Sequence, residues 1–125
     1  MNRPSILKYA LAFVLPATLI VTTFVPSRRA QAQASPRVVE ITAKRFGFTP
    51  NAVTVKRGET VVLRLKSEDV THGFFTRVFK IDEDLEPGKT TDVTITPQTA
   101  GTYTIICDHF CGANHGNMNM TMVVE

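Results

Sequence analysis

The chain of 125 residues has no tryptophan, only two cysteines and only three histidines. Several kinds of chemistry are excluded by these shortages. The cysteines, Cys107 and Cys111, are three residues apart, so no Cys-x-x-Cys-His run exists to attach haem. One histidine, His72, lies outside the stretch that holds the cysteines, which leaves a serine-hydrolase triad without support. No glycine-rich loop precedes a helical pattern, and no pair of carboxylates marks a glycosidase. Internal repeats are absent, and no segment keeps a helical period for long enough to be read as a helix.

What is present is a chain 43% hydrophobic and 20% charged, enough for one folded core and too short for two. Its net charge of +3 is unevenly placed. Residues 1–34 carry four basic residues, Arg3, Lys8, Arg28 and Arg29, and no acid. From Ser35 onward ten Lys and Arg face eleven Asp and Glu, a balance of −1, so the exported part has no basic surface for a nucleic acid.

The basic leader has the layout of an export signal. A cationic start is followed by a run without charge from Tyr9 to Val25, then by Arg28-Arg29 and the small-residue tract from Ala30 to Ala34. The competing reading is a membrane anchor through residues 9–25, since these 17 residues are near the shortest length that spans about 30 Å of hydrocarbon. Pro16 and Thr22-Thr23 weaken the anchor, and Arg28-Arg29 weakens the cleavable signal. Either way, residues 35–125 form a domain outside the cytoplasm, periplasmic or held on the outer face of the cytoplasmic membrane.

That domain reads as short strands between turns. Val38–Ala43 is the first, and Phe48-Thr49-Pro50-Asn51 turns into Ala52–Val55. Thr60–Ser67 alternates, with Val61, Leu63 and Leu65 on one face and Val62, Arg64 and Lys66 on the other. His72–Thr76 and Val78–Ile81 are weaker strands. Thr91–Thr96 is rich in β-branched residues, and Thr102–Cys107 puts Tyr103, Ile105 and Cys107 on one face. Met118–Val124 closes the chain. Six to eight such strands predict an all-β antiparallel Greek-key sandwich or barrel.

The chemistry is concentrated in Cys107-Asp108-His109-Phe110-Cys111-Gly112-Ala113-Asn114-His115-Gly116-Asn117-Met118. Two thiols, two imidazoles and a thioether share one loop between strands. Soft sulfur donors with imidazole suit copper. A Cys107–Cys111 disulfide is the plainer reading of two cysteines in an exported domain, but it does not require His115 and Met118 at their spacings. Zinc held by two Cys and two His is a further reading, and it leaves Met118 idle. A loop does not close a metal site alone, and His72 is the one other histidine that can complete it.

These residues resemble the cupredoxin domain of cytochrome c oxidase subunit II, in its single-anchor variety. The shared pattern is Asp-Val-x-His-x-Phe (Asp69–Phe74), Pro87-Gly88, Gly-x-Tyr-x-x-x-Cys (Gly101–Cys107) and Cys-x3-Cys-Gly-x-Asn-His-x-x-Met (Cys107–Met118), over about residues 38–125. Phe46–Asn51 resembles the segment that opens that domain. The resemblance implies a binuclear copper centre of the CuA type, two copper ions per chain. Cys107 and Cys111 would bridge both ions, His72 and Met118 would complete one, and His115 with the His109 carbonyl the other. It implies an electron carrier between a c-type cytochrome and the catalytic subunit of a haem-copper oxidase, with no catalytic site of its own. The nitrous-oxide reductase copper domain shares this site, attached there to a large propeller.

The chain departs from the pattern in three ways. His109 stands where the family often has a Glu that also reaches magnesium, so its imidazole is a possible competitor for copper. The exposed tryptophan through which many relatives accept electrons is missing, leaving Phe46 or Phe48 in its place. At most one hydrophobic segment precedes the domain, where many relatives have two. Two other features bear on function. Met118, Met120 and Met122 alternate on one face; the plain reading of the last two is packing, and the sharper one is a thioether cluster of a copper chaperone or storage protein. Asp82, Glu83, Asp84 and Glu86, with Glu68 and Asp69, form an acidic surface suited to steering a basic cytochrome.

Overall fold

The computed structural model describes residues 35–125. The leader at 1–34, with its reading as signal or anchor, lies outside the described residues. Among those described, no helix is long and apolar enough to cross a membrane.

Nine strands follow one another: β1 Arg37–Lys44, β2 Gly47–Thr49, β3 Ala52–Val55, β4 Val61–Ser67, β5 His72–Thr76, β6 Ile81–Leu85, β7 Thr90–Ile95, β8 Gly101–Ile106 and β9 Asn119–Val124. They form two sheets, ordered β2-β1-β4-β7 and β3-β9-β8-β5-β6. The expected sandwich is present, but it is mixed rather than antiparallel. β1 runs parallel to β4, and β3 parallel to β9. The cause is the crossover between β1 and β4, which carries the chain into the second sheet as β3 and returns it in the direction it left.

The alternation in β4 holds, with Val61, Leu63 and Leu65 fully buried. With Ile41 and Ala43 of β1 they face Val53, Val55, Phe74, Ile105, Met120 and Met122 of the other sheet, forming one core. Phe48 is the buried centre of β2 rather than part of a turn, its ring edge-on to Phe74 at 5.5 Å. Tyr103 donates its hydroxyl to the Thr99 carbonyl at 2.8 Å and pins the turn into β8.

The strand expected at Val78–Ile81 is displaced. Arg77–Lys80 is a turn closed by the Lys80 N–H on the Arg77 carbonyl, and Lys80 has φ +54°. The strand is Ile81–Leu85, with Ile81 and Leu85 buried and Asp82 and Asp84 exposed. Charges alternating outward on an edge strand discourage pairing with another chain.

Register places the two poles. Arg37 pairs with Val61 and Val61 with Ile95, so β1 and β4 begin, and β7 ends, at one pole. Ala43 pairs with Ser67 and Lys66 with Thr90 at the other. His72, Ile106 and Asn119 stand at ends of their strands at this second pole, where Ser67 also bridges to Pro87. All the ligand candidates gather there.

Candidate metal centre

Cys107 follows β8, Met118 precedes β9, and the Cys107 N–H donates to the Met118 carbonyl at 3.0 Å, closing the loop between them at its base. The β8–β9 ladder continues into this bond, so the loop is clamped by the sheet that carries it. Within it, His115 opens a single 3-10 turn, and the Met118 N–H returns to the His115 carbonyl at 3.0 Å.

The loop directs its sulfurs inward. Cys107 and Cys111 are buried free thiols, Sγ to Sγ 3.7 Å. That separation is far beyond the ~2.05 Å of a disulfide, so the pair is arranged as two independent ligands. His72 Nδ1 lies 3.9 Å from Cys107 Sγ, and His115 Nδ1 lies 3.8 Å from Cys111 Sγ. The His109 carbonyl is 3.2 Å from Cys107 Sγ, and Met118 Sδ is 3.8 Å from Cys111 Sγ. Each sulfur thus has one imidazole nitrogen and one weaker donor beside it. Donor atoms of His72, Cys107 and Cys111 all lie within 4.8 Å of one another. His115 and Met118 join this trio through Cys111.

His72 is fully buried at the start of β5. Its Nε2 meets Asp69 Oδ1 at 2.7 Å. The carboxylate accepts from Nε2–H, which leaves Nδ1 unprotonated and aimed at the sulfur pair. Asp69 in turn accepts from the backbone N–H groups of Arg45 at 2.9 Å and Val70 at 2.7 Å. Burial raises its pKa, but the Arg45 amide, the His72 ring and the Val70 amide outweigh it, and the carboxyl falls from 3.8 to about 2. The Cys107 thiol moves the other way. Burial lifts it to about 11, the Gly73 amide pulls it down, and the neighbouring Cys111 adds to the rise.

Residues outside the ligand set shape the cage. The buried Gly73 donates its N–H to Cys107 Sγ at 3.4 Å, so the amide that reaches this sulfur comes from β5. A Cβ at Gly73 would collide with the Asp108 carboxylate and sit 2.6 Å from the His109 nitrogen. Gly112, with φ +139°, lets the Phe46 ring approach where a Cβ would stand 2.9 Å from it. Asp69 and Gly73 stand within the Asp-Val-x-His-x-Phe pattern, but their partners are visible only in three dimensions. Arg45 carries no signal in the sequence.

The His109 ring points away from the sulfur pair. The side chain turns out to Asp84, Nδ1 to Oδ1 3.1 Å, while its carbonyl stays at the sulfur. Met118 lies in the site, so a zinc set of two Cys and two His would waste a donor that the fold places there. Met120 and Met122 are core residues paired across β8 with Ile105 and Tyr103, which removes the thioether cluster that a chaperone would use. Phe46, 37% exposed, borders the loop, whereas Phe48 is buried away from it. Phe110, 76% exposed, rests against the His115 ring with centroids 5.8 Å apart.

Residues 15–124 match the family model described as "Cupredoxin-like domain". The chain belongs to the cupredoxin-like family. This cupredoxin-like chain is 38% identical over 87 residues to cytochrome c oxidase subunit 2 of Thermus thermophilus, covering 70% of the present chain and 64% of that protein. It is 34% identical over 91 residues to nitrous-oxide reductase of Cupriavidus necator, covering 70% of this chain and 14% of that one. The chain therefore spans less than two thirds of the relatives it matches. Among solved structures, the periplasmic domain of subunit II of cytochrome oxidase of Bradyrhizobium japonicum superposes with TM-score 0.67 at 17% identity, over 71% of this chain and 83% of that one. The cupredoxin-like fold and the two-thiolate, two-imidazole, thioether donor set both fit copper.

Proposed function

We propose that the chain is a copper-dependent electron carrier with a binuclear centre of the CuA type, working as the soluble face of a subunit II-like protein. The observation that carries this reading is the balance of the donor set. Two thiols 3.7 Å apart each have an imidazole nitrogen and a weaker donor beside them, His72 and the His109 carbonyl at Cys107, His115 and the Met118 sulfur at Cys111. A mononuclear site of two imidazoles, one thiolate and a thioether would leave the second buried thiol without a role. Cys107, Cys111, His72, His115, Met118 and the His109 carbonyl would together hold the two copper ions. When bound, the copper pair supplies one-electron chemistry shared between two thiolate-bridged ions. The protein's part is to keep the ligands still. The clamped loop, the Asp69–His72 contact and the Gly73 amide would restrain the ligands against rearranging on electron transfer, which would lower the barrier to exchange. With every donor facing inward, no open position is left for a substrate.

The donor would be a c-type cytochrome and the acceptor the catalytic subunit of a haem-copper oxidase. The similarity to cytochrome c oxidase subunit 2 and the export-like leader support this, and also an extracytoplasmic location. Asp84, Asp108 and Glu86 are exposed at the pole that holds the site, where they would draw in a basic partner. The test is electron uptake by the copper-loaded chain from a reduced basic cytochrome c. The expected result is rapid uptake that slows by about tenfold or more as ionic strength rises from 0.01 to 0.15 M. Absence of uptake would overturn the proposed function, and uptake indifferent to salt would overturn the role of the acidic surface.

A further inference from the structure

We infer that Arg45 is a positioning residue that ties the two halves of the centre together from outside the copper loop. Arg45 is an exposed residue in the short turn between β1 and β2, where it contributes nothing to the core. Its backbone N–H donates to Asp69 Oδ2 at 2.9 Å, and Asp69 Oδ1 holds the His72 ring. Its side-chain Nε donates to the Cys111 carbonyl at 2.7 Å. The next residue, Phe46, lays its ring against Gly112. One turn therefore reaches the support of the first imidazole and the backbone of the second thiol.

The Cys107 half of the site has other supports, the Met118 carbonyl at its amide and the Gly73 N–H at its sulfur. The Cys111 peptide sits in the middle of the loop, and the guanidinium is what tethers it to the first sheet. Arg45 is also a permanent positive charge one peptide away from a sulfur ligand. Such a charge favours the state with one more electron, so it raises the reduction potential.

The test compares Arg45→Gln, Arg45→Lys and, as a control on the opposite side of the first sheet's ladder, Arg64→Gln, which breaks only the Arg64–Asp92 pair. In the metal-free chain, Arg45→Gln is expected to raise the alkylation rate of Cys111 about fivefold, the effect of one lost hydrogen bond, and to leave Cys107 less affected. In the copper-loaded chain, Arg45→Gln is expected to lower the midpoint potential and shift the sulfur-to-copper absorption. Arg45→Lys should restore the potential, because it restores the charge, but not the absorption. Arg64→Gln should change none of these. The loaded measurements rest on the electron-transfer reading, whereas the alkylation measurement does not, so failure of that reading leaves the Arg45 role still decided. Unchanged Cys111 alkylation in Arg45→Gln would overturn the inference, whatever the loaded chain shows.

Discussion

Asp69 decides which nitrogen His72 offers to the sulfur pair. An imidazole on a strand has two nitrogens and no preference between them; the carboxylate 2.7 Å from Nε2 selects Nδ1 for the sulfur side. The same contact makes a stability prediction. Asp69 is held at about 2 against an ordinary 3.8, so its ionised form is favoured by folding. Its contribution is complete above the unfolded value and is lost as pH falls through 3.8 towards 2. In the metal-free chain this amounts to about 2 kcal/mol, lost between about pH 5 and pH 2. Urea unfolding across that range should show a steeper loss for the natural chain than for Asp69→Asn, and equal slopes would contradict the assignment. The residues that gather around the sulfur pair, His72, Cys107, Cys111, His115 and Met118, were legible as candidates because sulfur and imidazole at those spacings have few other uses. The direction of the His109 ring was not legible, because it depends on Asp84 arriving from a different strand.

The strands explain why a loop of twelve residues can be rigid. β8 and β9 are paired from Gly101–Val124 to Ile106–Asn119, and the Cys107–Met118 bond adds one more rung at the mouth of the loop. β5 lies beside β8, and Gly73 meets the Asp108 side chain and the His109 backbone of the loop. Gly73→Ala should therefore displace Asp108 and His109. The expected cost is about 1–3 kcal/mol in the urea midpoint of the metal-free chain, with copper binding weakened as well. A chain as stable as the original, with unaltered copper affinity, would contradict this packing. Alternation made β4, β8 and the methionine strand readable, because one face of each is buried against the opposite sheet. β2 and the start of β6 were not readable. β2 has three residues, too few to show a period, and β6 is an edge strand whose charged residues look like a solvated loop.

Across the whole domain, the two sheets sort structure from function by pole. Arg37 brings the chain in at one pole, and the ligands stand at the other, so the core of Ile41, Leu63, Leu65, Phe74, Ile105 and Met122 separates them. A β-sandwich was legible from the number and spacing of strands. Its parallel pairs were not, since the path of a crossover is set by which sheet each strand joins rather than by its own residues. The surface at this pole combines exposed acidic groups with the exposed rings of Phe46 and Phe110. The central claim is that the paired thiols hold two metal ions as one electronic unit. Copper content measured together with the electron paramagnetic resonance spectrum of the oxidised, loaded chain tests it most directly. Two copper ions per chain and one unpaired spin with equal hyperfine coupling to both nuclei are expected; a single copper per chain, with the spin on one nucleus, would contradict the binuclear centre.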